Sequence, residues 1–316
     1  MQKTISIIIP VHNEEKNIPL INAELLGVFS SLPYTLEVIY INDGSKDGSQ
    51  AVIEALAGAD KRVKSIEFSK NFGKEAATSA GIKYAIGDAV MAVDADLQHP
   101  TSLIPDFIKK WEGGADVVIG LRTENKGQSF LKKICSFLYY KIINAISDTP
   151  ILSGATDFRL IDRKVVDEFN KLTEHERMTR GLIDWLGFRR EFIDFTANER
   201  ANGNASYSYF KLLKLAVSSS ISHSLVPLKF AGYLGVFTVI TSGAFGLIVF
   251  IQRYIFDDVL GWNIQGSAQL ALLMIFFIGI VLSCLGLIAL YIGNIKHEVS
   301  GRPLYVVRSL SNLKKD

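Results

Sequence analysis

Residues 89–100 read Ala-Val-Met-Ala-Val-Asp-Ala-Asp-Leu-Gln-His-Pro, and the change in character halfway along decides the fold class. Ala89–Val93 is apolar at every position, so both faces of the segment it forms need covering. The chain then turns abruptly to two carboxylates, Asp94 and Asp96, followed by Gln98. A short run buried on both faces and ending in polar residues reads as a strand of a parallel sheet whose carboxyl end opens into a ligand crevice. The pattern repeats on either side: Ile5–Ile9, Leu36–Ile41, Val63–Phe68 and Val117–Leu121 are further Val- and Ile-rich runs. Amphipathic segments such as Gln50–Ala57 and Glu75–Ile86 separate them. The expected fold is α/β, a doubly wound and mostly parallel sheet with helices on both faces.

Polar residues follow each of the first four runs. They are Pro10-Val11-His12-Asn13-Glu14-Glu15, then Asn42-Asp43-Gly44-Ser45, then Asn71-Phe72-Gly73-Lys74, and finally Asp94 through Pro100. Taken singly, each is ordinary turn chemistry: an N-cap at Asn13, a tight turn at Asp43-Gly44, a helix start at Pro100. Their coincidence at four strand ends points instead to one shared site. Asp94-Ala95-Asp96 is the sharpest element, because two carboxylates one residue apart can reach a hard divalent cation together with phosphate oxygens, and Gln98 adds a neutral oxygen. No GxxxxGK[ST] loop occurs and no GxGxxG follows a strand, so neither a Walker-type nucleotidase nor a Rossmann dehydrogenase is supported. The five histidines show no metal-ligand spacing and receive no catalytic role.

At 316 residues the chain has room for about two domains. A composition 48% hydrophobic and 21% charged is too apolar for a disordered chain, so apolar residues must be segregated somewhere. They gather in Phe230–Ile251 and Ala268–Ile292, neither of which holds an Asp, Glu, Lys, Arg or His, and each matches the roughly 20 residues that span a bilayer. Lys211, Lys214 and Lys229 precede the first run, and Lys296, Arg302, Arg308, Lys314 and Lys315 follow the second, so both termini are expected on the cytoplasmic side. The expected organisation is a cytoplasmic catalytic domain over 1–206, interfacial helices over 207–229, and spans over 230–251 and 268–292. A short extracytoplasmic loop over 252–267 joins the spans, and a basic tail covers 293–316. Within the first domain, 128–146 mixes Phe130, Ile134 and Phe137 with Lys132, Lys133 and Lys141, a pattern suited either to a membrane surface or to packing on the soluble domain. Gly232, Gly235, Gly243 and Gly246, with Gly279, Gly286 and Gly293, give each span a small-residue stripe for close helix contact, within one chain or between copies in a homo-oligomer. A net charge of +2 provides no global field for nucleic acid, and Cys135 and Cys284 are too few for a disulfide scaffold. The first ten residues lack the parts of a secretory signal.

The motifs above, joined by Gly154-Ala155-Thr156-Asp157-Phe158-Arg159, Arg200-Ala201-Asn202-Gly203 and Gly301-Arg302-Pro303-Leu304-Tyr305, resemble those of the inverting, GT-A-type family 2 glycosyltransferases. The resemblance is specifically to the membrane-anchored polyprenyl-phosphate sugar transferases, such as dolichyl-phosphate mannose synthase and bactoprenol glucosyltransferase. It implies that Pro10, Glu14, Asp43, Gly73 and Lys74, with Asp94, bind a nucleotide sugar. It also implies that Asp94, Asp96 and Gln98 hold Mg²⁺ or Mn²⁺, and that Arg122 and Arg200 bind the acceptor phosphate. Asp157 with Asp96 would be catalytic, although Asp157 also reads as a salt-bridge partner of Arg159 or another nearby base, and Arg122 or Arg200 as an ordinary surface arginine. Two positions depart from the family pattern: His12 stands where an aromatic is usual, and Ala205-Ser206-Tyr207 lacks a customary lysine that Lys211 or Lys214 would replace.

The reaction implied is transfer of one sugar to a polyprenyl phosphate at the cytoplasmic face of a bacterial-type inner membrane. UDP-glucose is favoured as donor, ahead of other UDP-sugars and GDP-mannose. A processive polysaccharide synthase is disfavoured by the missing Q-x-x-R-W motif. A catalytically silent, membrane-anchored nucleotide-sugar scaffold is disfavoured by the retained acidic residues.

Overall fold

The computed structural model describes residues 2–123, 154–174, 177–196 and 266–313, with five isolated positions between 237 and 251. Its apolar runs form strands β1 (Thr4–Val11), β2 (Thr35–Asn42), β3 (Val63–Phe68), β4 (Ala89–Ala92) and β5 (Val117–Arg122). Three further strands, β6 (Ala155–Asp162), β7 (Arg190–Phe195) and β8 (Val307–Ser311), complete one sheet in the order β7-β5-β6-β4-β1-β2-β3-β8. The pairs β1–β2, β1–β4, β2–β3 and β5–β7 are parallel. Strand β6 is antiparallel to both β4 and β5, and β8 is antiparallel to β3, so the sheet is mixed.

Side chains alternate across the sheet, which divides the core in two. Ile5, Ile7 and Ile9 face helices α1 (Ile18–Phe29), α2 (Ser49–Ala59) and α4 (Ile104–Glu112). Ile8, Ile39 and Ile41 face α3 (Lys74–Tyr84), α5 (Arg163–Phe169) and α6 (Thr179–Trp185). Helix α3 lies close to the strands because its sheet-facing residues are small: a Cβ on Gly81 would come within 2.9 Å of Ile8 and Ile41. That packing fixes where Lys74, the first residue of α3, emerges at the carboxyl ends of the strands.

The opposite end of the sheet is locked by a buried polar network. Glu37 accepts from the Ser6 hydroxyl and from Ile86 N (3.1 Å) and pairs with Lys64, while Ser6 Oγ accepts from Gly87 N at 2.9 Å. With its partners in place, the Glu37 carboxylate meets the hydrogen-bonding demand of a buried charge.

The chain divides into two compact units: Met1–Asn144, Thr149–Ser206 and Arg302–Asp316 form one, and Ala145–Asp148 with Tyr207–Gly301 the other. The C-terminal segment, expected as a basic tail, thus supplies an edge strand to the catalytic sheet. Arg308 and Ser309 bond Glu67, Tyr305 stacks on Phe68 at 4.8 Å, and Asn312 donates to the carbonyls of Ala57 and Val63.

In the second unit, α7 (Gly266–Val299) runs for 34 residues. Among the described residues no helix is long and apolar enough to cross a membrane, so the expected two-span hairpin is not shown. Residues 230–251 lie almost wholly outside the described set, and 268–292 fall within α7 with only part of their side chains described. The amphipathic segments 128–146 and 207–229 and the glycines of the first stripe also lie outside it.

Candidate active site

Two acidic residues meet because of strand register. Ladder pairs β4–β6 run from Ala89↔Asp162 to Ala92↔Arg159, and continuing that antiparallel register beyond the ladder sets Asp94 opposite Asp157. The Lys74 ammonium, delivered by α3, lies between them, 2.6 Å from Asp94 Oδ1 and 2.9 Å from Asp157 Oδ2. Burial opposes ionisation of Asp157, but the Lys74 charge and hydrogen bond, aided by Arg180 and Arg159, outweigh it and hold the carboxyl below the usual carboxylate range. Lys74 responds in the opposite sense: desolvation disfavours its charge, and the two carboxylates more than restore it, so its pKa is raised. Asp157 therefore pairs with Lys74, whereas Arg159, the partner considered from sequence, is buried against Asp184 at 2.9 Å.

The rest of the Asp94–Pro100 loop is folded around this pair. Asp96 is buried, and its Oδ1 accepts from Gln98 N at 3.2 Å. Between them Leu97 adopts φ 61°, a left-handed conformation uncommon outside glycine. His99, which carried no motif, is buried and stacked on Phe158 at 4.7 Å, and its Nδ1 accepts from Asp94 N at 3.1 Å. Burial pushes its pKa down against the pull of Asp94, leaving a neutral ring that holds the Asp94 backbone. Among the described residues no three His, Cys, Asp or Glu side chains converge as a metal site.

The neighbouring loops are tied into one rim. The buried Asp43 carboxylate accepts from Phe72 N (2.6 Å) and Gly73 N (2.9 Å), joining the ends of β2 and β3. Gly44 must be glycine there: its φ is +62°, and a Cβ would sit 2.4 Å from the Lys70 carbonyl carbon. Pro10 is within β1, and the loop after it is bonded to the loop after β2 through Asn13 N to Ser45 Oγ (3.0 Å) and Glu14 N to Ser49 Oγ (3.0 Å). Glu14 Oε2 accepts from Asn17 Nδ2 at 2.6 Å. His12 Nδ1 lies 2.9 Å from the Asp43 carbonyl oxygen. Pro10, Glu14, Asp43, Gly73, Lys74 and Asp94 thus occupy the carboxyl-end edge of β1 to β4, as expected. Arg122 is exposed at the end of β5, held through its backbone N–H to Gly154 O at 2.8 Å, and Arg200 lies outside the described residues.

Asp157 also lines a cleft, together with Ile8, Val90 and Ile183 and the charged Glu75 and Arg180. Thr179 Oγ1 and Arg180 Nε, which also line it, are buried without a hydrogen-bond partner among the described residues. Nothing in the local sequence singles out Arg180.

A mixed GT-A-type sheet with carboxylates gathered at its strand ends defines a class, and the chain belongs to it: the model of glycosyl transferase family 2 matches residues 6–169. The protein is a glycosyltransferase, and its similarity to known members extends well beyond the matched domain. It is 40% identical to an uncharacterized glycosyltransferase of Bacillus subtilis over 305 residues, 96% of this chain and 93% of that one. It is 36% identical to the SfII prophage-derived bactoprenol glucosyl transferase of Shigella flexneri over 304 residues, 96% of this chain and 97% of the relative. Among solved structures, mannosyl-3-phosphoglycerate synthase from Rubrobacter xylanophilus superposes with a TM-score of 0.53 at 18% identity, covering 71% of this chain and 74% of the other, a likeness of fold alone.

Proposed function

We infer that this glycosyltransferase moves a single glucosyl group from UDP-glucose to a polyprenyl phosphate, with inversion, at the cytoplasmic membrane face. The observation that carries the reading is the Asp94–Asp157 pair closed on one positive charge at the strand-end crevice. The near full-length likeness to a protein named bactoprenol glucosyl transferase supports the choice of sugar and acceptor.

The donor set suits a divalent cation. Asp94, Asp96 and Gln98 share one short loop closed by Gln98 N on Asp96 Oδ1, their side chains offer oxygen atoms as ligands, and Mg²⁺ or Mn²⁺ needs only one or two carboxylates when phosphate oxygens complete its shell. We assign Asp94, Asp96 and Gln98 to hold it. When bound, such a cation supplies Lewis-acid neutralisation of the departing diphosphate.

The chain's own groups do the remainder. Pro10, Glu14, Asp43 and Gly73 shape the nucleoside end of the crevice, with Asp43 fixing the Phe72–Gly73 backbone. The acceptor is a phosphomonoester whose second pKa lies near 6, so it arrives largely dianionic and needs no strong base. Asp157, ionised at neutral pH, orients that acceptor, and Arg122 and Arg200 receive its phosphate. An acceptor oxygen forms a bond to the anomeric carbon as the bond to UDP breaks, the electron pair leaves with the diphosphate, and one displacement inverts the centre.

Attachment through Phe230–Ile251 and Ala268–Ile292, with both termini cytoplasmic, would keep the enzyme on the membrane that carries its lipid. Leu270, Met274, Ile278, Val281 and Ile292 of α7 are each more than half exposed, an apolar surface suited to hydrocarbon. Incubating the purified chain with undecaprenyl phosphate, Mn²⁺ and a panel of UDP- and GDP-sugars, then weighing the lipid product, tests the reading. A hexosyl phospholipid formed from UDP-glucose is expected. No lipid product from any donor, or a polymer, would defeat it.

A further inference from the structure

Lys74 ends where two acidic side chains from different strands face one another. Without its charge the β4–β6 register would hold two carboxylates together against their mutual repulsion. A divalent cation that draws on Asp94 answers the same electrostatic need and competes for the same carboxylate. The lysine has the advantage of being tethered, which gives it a high effective concentration at the site. It also has a way out: its side chain is 44% exposed, and its ammonium is a point charge on a flexible stem.

We propose that Lys74 is a resident counter-ion that holds the Asp94–Asp157 pair until a divalent cation displaces it. The proposal rests on the assignment of Asp94 as a metal ligand made above. It follows that the bare cation binds weakly, because it must first evict the ammonium. A nucleoside diphosphate that accepts the evicted ammonium makes cation and nucleotide bind synergistically, each raising the other's affinity by the same factor. Asp157 then loses its lysine partner only when the donor is seated, which is the moment an acceptor needs orienting.

The test measures free Mn²⁺ by electron paramagnetic resonance with the full chain in detergent, with and without UDP. The proteins are the wild type, Lys74→Met and Lys74→Arg. Lys74→Met is expected to bind Mn²⁺ alone at least tenfold more tightly than wild type, and the enhancement given by UDP should shrink by a similar factor. Lys74→Arg, which keeps the charge, should bind Mn²⁺ alone no more tightly than wild type. The Mn²⁺-induced rise in melting temperature, larger for Lys74→Met than for wild type, reports the same competition even if the variant is less stable. Equal or weaker Mn²⁺ binding by Lys74→Met overturns the proposal. Failure of all three proteins to bind Mn²⁺, with or without UDP, removes the metal assignment itself, a failure recognisable because it includes the wild type.

Discussion

Replacing Asp43 with alanine deletes the carboxylate that joins the β2 and β3 loops through Phe72 N at 2.6 Å and Gly73 N at 2.9 Å. A hydrogen bond to a charged group contributes about 1.5–3 kcal/mol net, and a buried donor left unpaired costs about 1–3 kcal/mol. Since both bonds end on one side chain they do not add fully, and we expect Asp43→Ala to lose about 3 kcal/mol of stability. Asp43→Asn keeps one acceptor oxygen but turns an amide nitrogen towards the second N–H, and should lose about 2 kcal/mol. Urea unfolding followed by tryptophan fluorescence suits the measurement, because Trp111 is buried in the same unit. The loosened loop also carries Gly73 and Lys74, so UDP affinity, read by calorimetry, should fall at least tenfold. Stability within about 0.5 kcal/mol of wild type together with unchanged UDP binding would refute the role assigned to these two bonds.

Further consequences concern the charges and the C-terminal strand. Because the folded pKa of Asp157 is depressed, its contribution is present above the unfolded value of about 3.9 and disappears as pH falls through the folded pKa; Asp157→Asn should flatten that acid limb in urea midpoints measured against pH. For the same reason Asp157 does not set the acid limb of kcat/KM, which should fall below about pH 6 with protonation of the acceptor phosphate. His99, also depressed, should show the neutral ring with its proton on Nε2 in ¹⁵N spectra at pH 7; a charged ring or a proton on Nδ1 would contradict the bond from Asp94 N. Tyr305→Ala removes the stack on Phe68, whose ring also meets Phe72 edge-on at 5.8 Å, and should cost about 1–2 kcal/mol in urea unfolding and weaken UDP binding.

Strands β1, β2, β4 and β5 were legible as runs largely apolar on both faces, and β3 by its Val63, Ile66 and Phe68, and a residue just beyond such a run sits at the crevice wherever the sheet places it. Asp43, Asp94 and Gly73 were located by that logic alone. Asp157 was not, since its partnership with Asp94 depends on antiparallel pairing between segments more than 60 residues apart, set by register rather than by local pattern. Strands β6 and β8 escaped for a related reason: Thr156, Asp157, Arg159 and Asp162 break up the apolar character of β6, and Val307–Ser311 is a short mixed stretch whose strand character comes from the β3 edge it covers. His99 illustrates a different limit. Its only local signal is a position five residues after Asp94, and what makes it useful is burial against Phe158, which no spacing reveals.

If the strand-end carboxylates carry glucosyl transfer to a lipid phosphate, as proposed, the transfer rate must depend on Asp94. The most direct test is the rate of radiolabelled glucose transfer from UDP-glucose to undecaprenyl phosphate, with Mn²⁺, by wild type and Asp94→Asn of equal melting temperature. We predict labelled lipid from the wild type and a loss of about 10²–10³-fold in the variant, the scale of removing a group that stabilises developing charge. An Asp94→Asn protein that transfers glucose to the lipid within threefold of wild type would contradict the account.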